Sequence, residues 1–104
     1  MIVEVNTDRH IESSERLIDY CKSTLEAELD RFSENITRID VHFSDQNAEK
    51  GGDDDKRCLI EVRLKGLKPV TTSNNASNID DALSGAIDKM VTVLDTALAK
   101  QRNR

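Results

Sequence analysis

The sequence predicts an α+β protein, a two-layer sandwich in which a four-stranded sheet carries two helices on one face. Three observations lead to this fold. Short segments alternate between apolar and polar residues, as half-buried strands do. Two longer segments repeat apolar residues every three or four positions along one stripe. Because each helix has a single apolar stripe and each strand one polar face, both helices must cover the same side of the sheet. The predicted order is β-α-β-β-β-α.

The first strand and the first helix occupy the beginning of the chain. Residues 1–6 alternate, with Val3 and Val5 on one face. A polar link follows, after which either Ser13 or Ser14 can cap a helix that we expect to extend to about residue 34. Its apolar stripe consists of Leu17, Cys21, Leu25, Leu29 and Phe32, with Ile18 at the margin.

The second and third strands are predicted on either side of a polar loop. Ile39, Val41 and Phe43 alternate with polar residues in the second strand. Residues 45–56 are polar and contain Gly51 and Gly52, so we expect a mobile loop without regular structure. In the third strand the residues predicted to face the core are Cys58, Ile60, Val62 and Leu64.

A short edge strand and a closing helix complete the predicted domain, which spans residues 1–104. Gly66 and Pro69 indicate a turn before a strand over residues 70–74. Asn78 is a good N-cap for the closing helix, and the acids Asp80 and Asp81 suit the positive end of the helix dipole. Residues 100–104 form a basic tail. The buried stripe of the helix consists of Ile79, Leu83, Ala86, Ile87, Met90, Leu94 and Leu98.

The composition indicates a soluble cytoplasmic protein. Hydrophobic residues make up 37% and charged residues 34% of the 104 residues, which is typical of one globular domain. The sequence has neither an apolar run of the ~20 residues that span a membrane nor the pattern of a signal peptide. We therefore expect no membrane partner. Cys21 and Cys58 lie on predicted apolar faces and are interpreted as buried small hydrophobes.

Nothing in the sequence predicts an enzyme, a metal site or a cofactor. His10 and His42 have no sequence-adjacent catalytic partner, and solvated histidines are the simpler interpretation. The run Asp53, Asp54 and Asp55 lacks the spaced ligands of an EF-hand loop. The Gly51-Gly52 pair lacks the Lys-Ser/Thr of a phosphate-binding loop. We predict no catalytic residues.

The basic residues are the candidates for binding an anionic partner. The net charge is −5, but residues 1–52 hold 12 acids and 6 bases whereas residues 53–104 hold 8 acids and 9 bases. Arg57, Arg63 and Lys65 lie on the polar face of the third strand and its turn, and Arg38 and His42 of the second strand would join them if the two strands pair. The predicted phosphate contacts from this half are Arg57, Arg63, Lys65, Lys68, Lys100 and Arg102. A solubilising strand face is an equally simple interpretation.

The segment from Asn78 to Met90 resembles a known family. Its cap, its Ala82-Leu83 pair and its Ile87-Asp88-Lys89 triplet before Met90 are similar to the second helix of ribosome hibernation-promoting factors and ribosome-associated translation inhibitors, also called sigma-54 modulation proteins. The resemblance covers nearly the whole chain. It implies the predicted fold, no enzymatic activity, and binding in the decoding channel of the small ribosomal subunit, through ribosomal RNA, to silence idle ribosomes under stress. It also implies that Lys89 contacts RNA.

The chain departs from that family in the charge of its helices. Residues 13–34 contain 6 acids and 3 bases, and residues 79–99 contain 4 acids and 1 base. Thr92, Val93, Thr96 and Ala97 lie where the family is usually rich in Arg, Gln and Lys. Two hypotheses follow: a short, divergent ribosome-associated protein that modulates translation, or an acidic interaction module that keeps the fold and docks a basic protein partner.

Overall fold

A computed structural model of the chain describes residues 1–46 and 55–102. Its strands and helices follow the predicted order, with one 3-10 turn added after the first helix, and the α+β sandwich is confirmed. The elements are β1 (Ile2–Thr7), α1 (Glu15–Glu28), the 3-10 turn (Asp30–Phe32), β2 (Ile36–Asp45), β3 (Lys56–Leu64), β4 (Val70–Ala76) and α2 (Ile79–Arg102).

The four strands form one sheet in the order β1-β2-β3-β4. β1 pairs with β2 in parallel, with Val3 opposite Ile39, and a parallel pair needs the long crossover that α1 provides. The other neighbours are antiparallel, with Val41 opposite Ile60 and Ile60 opposite Thr72. Residues that alternate with these core positions form the open face of the sheet, the surface opposite the two helices.

The core lies between the sheet and the helices and is entirely apolar in the described part of the chain. Its strand residues are the predicted inward set without Val5, which is only partly buried, and with Ile36 added. Its α1 residues continue into the 3-10 turn through Leu29 and Phe32. Ile79 and Leu98, predicted for the α2 stripe, are only partly buried and pack against the core. The buried residues of α2 are Ala82, Leu83, Ala86, Ile87, Met90 and Leu94.

The first helix ends earlier than predicted. α1 stops at Glu28, and Leu29, whose N–H still donates to the Leu25 carbonyl oxygen at 2.9 Å, leads into the 3-10 turn. The N–H of Phe32 then donates to the Leu29 carbonyl oxygen at 3.0 Å. Residues three apart eclipse each other in a 3-10 turn, so Leu29 and Phe32 both reach the core. The apolar spacing there fits either helix type, and the predicted end near residue 34 is wrong for this reason.

Both helices begin at side-chain caps. Ser14, rather than Ser13, caps α1, and its Oγ accepts from the Leu17 N–H at 3.1 Å. At the start of α2, Asn78 Oδ1 accepts from the Asp81 N–H at 2.8 Å, while Asn78 Nδ2 donates to Asp81 Oδ2 at 3.0 Å. The predicted Asn78 cap is confirmed, and it satisfies an N–H that the first helical turn leaves without a partner.

Two segments predicted to lack regular structure, the loop over residues 45–56 and the tail over residues 100–104, have different bounds in the structure. β2 and β3 extend to Asp45 and Lys56, which lie opposite each other, and the Gln46 N–H donates to the Asp55 carbonyl oxygen at 2.7 Å. The remainder of the predicted loop, residues 47–54, lies outside the described residues. Lys100 and Arg102, predicted in a basic tail, belong to α2. No helix in the described ranges has both the length and the apolar character to cross a membrane.

The contact between β4 and α2 positions the turn after β3. Thr72 Oγ1 donates to the Ala86 carbonyl oxygen at 2.9 Å, and Asn74 Nδ2 donates to the Asp81 carbonyl oxygen at 3.2 Å. Gly66, with a φ of 71°, makes the turn that leads from β3 into β4. Because α2 returns along β4, its C-terminal half lies beside this turn.

Candidate functional site

The open face carries two arginines opposite each other, and both are paired with acids. Arg38 lies opposite Arg63 in the β2–β3 register. Arg38 Nε donates to both Asp40 oxygens at 3.1 and 3.0 Å, and its Nη2 pairs with Glu4. Arg63 Nε donates to Glu61 Oε1 at 3.4 Å. The hydrogen bonds to Asp40 raise the pKa of Arg38. Three carboxylates therefore outnumber the two guanidinium groups here.

Arg57 lies on the same face but at the far end of β3. It is opposite Ser44 on β2 and Asn75 on β4. Six residues of extended strand separate it from Arg63, a distance of about 20 Å. The neighbouring Lys56 donates to Asp45 at 3.1 Å and to Asp55 at 3.0 Å, and these bonds raise its pKa, the Asp55 bond most. The open face therefore does not gather the predicted bases at one point.

Four of the predicted bases come together at one end of the molecule, which we call the basic end: Lys65, Lys68, Lys100 and Arg102. Lys68, in the turn before β4, and Lys100, near the end of α2, line the same groove. All four are exposed, and none is within salt-bridge distance of a carboxylate in the described part of the chain. Their ammonium and guanidinium groups are available to an external anion.

A second depression joins Lys65 and Arg102 to this end. The Lys65 N–H donates to the Asn35 carbonyl oxygen at 2.9 Å, and Asn35 lines a depression together with Arg102. Gln101 lines both this depression and the groove of Lys68 and Lys100. The two hollows are therefore adjacent: Lys68 and Lys100 line one, Arg102 lines the other, and the backbone of Lys65 is bonded to Asn35 of the second.

Arg31 is a fifth base at this end, and sequence analysis did not identify it. Its Nη1 and Nη2 donate to the two Asp95 oxygens at 2.7 and 2.9 Å. The Arg31 hydrogen bonds hold the pKa of the Asp95 carboxyl below its usual range, and nearby Arg102 lowers it further. Asp95 is the single acid among the residues that line the two depressions. The 64-residue separation of Arg31 and Asp95 in sequence leaves no local signal for this pair.

Lys89 lies apart from the basic end. Eleven residues of α2 separate it from Lys100, which corresponds to about 16 Å. Its Nζ donates to the Ser73 carbonyl oxygen of β4 at 2.8 Å. One of its three N–H donors therefore fastens the edge strand to the helix, and the other two can meet solvent or a partner.

The reactive side-chain types of the chain are not arranged for chemistry in the described residues. Cys21 and Cys58 are buried free thiols, as predicted. Burial raises the pKa of Cys21 to about 11 and that of Cys58 to about 12. His10 is exposed and close to Arg9, and His42 lies opposite Leu59 on the open face. Across residues 1–46 and 55–102, no three His, Cys, Asp or Glu side chains converge as metal ligands would.

The exposed surface of α1 has the opposite charge to the basic end. Its exposed acids outnumber its exposed bases, Arg16 and Lys22. The acids are Glu15, Asp19, Glu26 and Glu28. The folded molecule therefore separates an acidic helix face from a basic end.

Comparison with known proteins connects this fold to one family. Residues 5–104 match the family described as Sigma 54 modulation protein / S30EA ribosomal protein. The N-terminal domain of Thermus thermophilus Protein Y superposes with a TM-score of 0.71 at 24% identity, covering 88% of this chain and 93% of that chain. A ribosomal subunit interface protein from Coxiella burnetii gives a TM-score of 0.68 at 16% identity, with 100% of both chains covered. At these identities the two structures show a common fold. No curated protein sequence matches the chain.

Proposed function

Because this chain belongs to the sigma 54 modulation protein / S30EA ribosomal protein family, we propose that it is a cytoplasmic, non-enzymatic protein that associates with the ribosome. Its proposed target is the small subunit, where it binds ribosomal RNA and lowers translation. The observation that carries this proposal is the meeting of Lys65, Lys68, Lys100 and Arg102 at one end of the fold. Family membership supports the ribosome as partner, and the basic end supports phosphate as the group recognised.

The chemistry of the basic end suits the RNA backbone better than the bases. Ammonium and guanidinium groups neutralise phosphates and release counterions. Single-stranded bases are usually bound by aromatic stacking, but the chain has only Tyr20, Phe32 and Phe43. Phe32 and Phe43 are buried, and Tyr20 is on α1. Recognition would therefore depend on phosphate contacts and shape. Arg57, Arg63 and Lys89 are proposed as additional contacts outside the basic end.

Binding to purified small subunits at different salt concentrations tests the RNA contact. The four contacts of the basic end contribute about −2.8 to the slope of log affinity against log salt, or about a 50-fold loss between ~50 and ~200 mM, and contacts by Arg57, Arg63 and Lys89 add to it. The double substitution Lys68→Gln with Lys100→Gln removes two of these contacts, so the contribution of the basic end over the same range falls to about sevenfold. Cosedimentation with the subunit measures both slopes.

The matched control removes two charges from α1 through Arg16→Gln with Lys22→Gln. This variant has the same net charge as the double substitution at the basic end, but it should keep most of the wild-type slope. Equal losses in the two variants would show that net charge, and not the basic end, governs binding. Absence of cosedimentation at low salt would overturn the proposal as a whole.

The effect on translation needs its own measurement. If the protein occupies the path of messenger RNA on the small subunit, adding it to a cell-free translation reaction lowers product in proportion to subunit occupancy. The Lys68→Gln, Lys100→Gln variant then requires a higher concentration for the same inhibition. Saturating binding with no change in product would contradict the inhibitory role while leaving ribosome association in place.

A second candidate function is an acidic interaction module that docks a basic protein. The specific observation is the exposed acidic face of α1, where four acids accompany two bases. Opposite charge steers association and makes it sensitive to salt. A pull-down from ribosome-free lysate should then recover one basic protein, and Glu26→Gln with Glu28→Gln should release it. Recovery of ribosomal RNA and ribosomal proteins from whole lysate, with no such partner, would favour the first function.

A further inference from the structure

The groove beside the basic end has an apolar floor. It has a volume of about 730 Å³ and runs between the turn after β3 and the C-terminal half of α2. Its floor is formed by Leu67 from the turn and by Val93 and Ala97 from the helix. Lys68 and Lys100 stand at its rim. A groove of this kind combines a hydrophobic surface with two cationic groups.

The helix wall of the groove is less polar than its sequence suggests. Thr92 Oγ1 donates to the Asp88 carbonyl oxygen at 3.4 Å, and Thr96 Oγ1 donates to the Thr92 carbonyl oxygen at 3.1 Å. These hydroxyl protons are therefore used within the helix. Leu67 and Ala97 pack against the core, but Val93, although half-buried, is outside the core cluster. The Val93 side chain thus offers apolar surface that the described part of the chain leaves uncovered.

The charge of the groove favours an anionic occupant. No residue that lines it is acidic, and neither Lys68 nor Lys100 is within salt-bridge distance of a described carboxylate. Asp95, on the same helix, lines the neighbouring depression and is held by Arg31. A carboxylate brought into the groove would meet two ammonium groups without a competing acid on its walls.

We propose that this groove binds a short acidic segment of a partner protein. One or two aliphatic side chains of the segment cover Val93 and the rest of the floor, and flanking Asp or Glu carboxylates pair with Lys68 and Lys100. Apolar burial supplies most of the affinity and the lysines supply orientation. This activity does not depend on the proposed ribosome association, but it uses Lys68 and Lys100, so an acidic segment and RNA compete for these two lysines.

The floor argues for a protein segment over a nucleic acid. Bases are held by stacking on aromatic or guanidinium planes and by hydrogen bonds at their edges. The residues of the floor are aliphatic, and the groove lining contains neither an aromatic residue nor an arginine. A Leu, Ile or Val side chain needs only matching apolar surface, which Leu67, Val93 and Ala97 provide.

A library of random 12-residue peptides displayed on phage tests the proposal with the whole protein. Selection is made on the wild-type chain, with counter-selection on Val93→Gln, which replaces the apolar floor without changing charge. The expected result is enrichment of peptides that combine Leu, Ile or Val with Asp or Glu. A failure to enrich any peptide dependent on Val93, or enrichment of basic sequences, would overturn the proposal.

Affinities of the best enriched peptide then separate the floor from the rim. Val93→Gln should weaken binding by about tenfold or more, as expected for losing a buried valine contact. Lys68→Gln with Lys100→Gln should weaken binding and reduce its salt dependence. Ser84→Gln, a matched exposed substitution elsewhere on α2, should leave binding unchanged. Circular dichroism verifies that each variant is folded.

Val93→Gln also distinguishes this groove from the proposed ribosomal contact. Because the substitution is neutral, it should leave cosedimentation with the small subunit within about twofold of wild type. Peptide binding that survives Val93→Gln would overturn the groove proposal, whatever the outcome with ribosomes. An RNA oligonucleotide that binds the wild type but not Val93→Gln would overturn the groove proposal as well, since the floor would then bind nucleic acid.

Discussion

At the scale of single residues, the partner of a charged side chain decides what that side chain can do. Arg38 and Lys68 are both exposed enough to meet a ligand, but Arg38 is held by Asp40 and Glu4, whereas Lys68 has no carboxylate within salt-bridge distance among the described residues. A phosphate would have to displace the Arg38 contacts before binding there. Lys68 needs no such exchange, so the basic end is the better candidate site.

The two cysteine thiols should be slow to react in the folded protein. Burial raises the pKa of Cys21 to about 11 and that of Cys58 to about 12. Thiol reagents attack the thiolate, so both cysteines should react at least about 100-fold more slowly in the folded protein than in denaturant at pH 8. A colorimetric thiol reagent measures the two rates. Fast labelling of either residue in the folded protein would contradict the burial described here.

At the scale of elements, caps and close approaches fix where each helix begins and how it packs. The sequence leaves Ser13 and Ser14 as equal candidates for the α1 cap, since both are adjacent to the same first turn. The structure selects Ser14, whose Oγ accepts from the Leu17 N–H. The C-terminal end of α1 is decided similarly by packing, because the 3-10 turn keeps both Leu29 and Phe32 in the core.

The two serines form a matched pair for a stability experiment. Ser14→Ala removes the cap and should lower the free energy of unfolding by about 1 kcal/mol. Ser13→Ala should change it by only a few tenths, because the Ser13 hydroxyl makes no hydrogen bond in the described structure. Urea denaturation measures both values. An equal loss in the two variants would mean that the serines share the cap.

Gly85 allows β4 to approach α2, and this contact yields a second prediction about the elements. A Cβ at Gly85 would overlap the Asn74 side-chain amide, which donates to the Asp81 carbonyl oxygen. Gly85→Ala should make the Asn74 side chain swing away and lose that hydrogen bond, which costs about 1 kcal/mol and offsets the similar gain of alanine in a helix, so the stability should stay nearly unchanged.

A double-mutant cycle that combines Gly85→Ala with Asn74→Ala provides the control. In the Asn74→Ala background the overlapping amide is absent, so Gly85→Ala should stabilise the protein by about 1 kcal/mol. Thermal or urea denaturation of the four proteins gives the coupling energy. The same effect of Gly85→Ala in both backgrounds would show that Asn74 is not the residue that requires the glycine.

At the scale of the whole molecule, folding separates charges that the sequence mixes. The net charge is −5, which by itself opposes binding to RNA. The fold nevertheless brings Lys65 and Lys68 from the turn after β3 beside Lys100 and Arg102 at the end of α2. The two bases on α2 also lie where the helix dipole is negative, so they complement the helix as well as the proposed ligand.

Releasing Arg31 should strengthen the basic end. Asp95→Asn removes the acid that pairs with Arg31 and should tighten binding to the small subunit by about two- to fivefold at low salt. Both side chains are more than half exposed, at 58% and 51%, so little stability should be lost. Cosedimentation measures the affinity.

Asp88→Asn is the matched control for that charge change. It removes one acid from the same helix but releases no base in the described structure, so it should tighten binding by less than Asp95→Asn. Equal gains would show that only net charge matters. A loss of binding in Asp95→Asn would show that the Arg31 pair is needed to shape the basic end.

The sequence by itself determined the order of elements, most of the core and the family resemblance. Alternation in the strands and the stripe of α2 follow from the periods of strand and helix, which are local properties of the backbone. The Asn78 cap and the buried Cys21 and Cys58 could be predicted for the same reason.

The tertiary structure alone decided which charged groups meet. Lys68 and Lys100 are 32 positions apart in sequence, and Arg31 and Asp95 are 64 apart; no periodicity relates such residues. Their proximity comes from the antiparallel return of α2 along β4 and from the 3-10 turn after α1. Carboxylates hold Arg38, whereas Lys68 is open to a ligand. That difference depends on the three-dimensional distance to a carboxylate rather than on residue type.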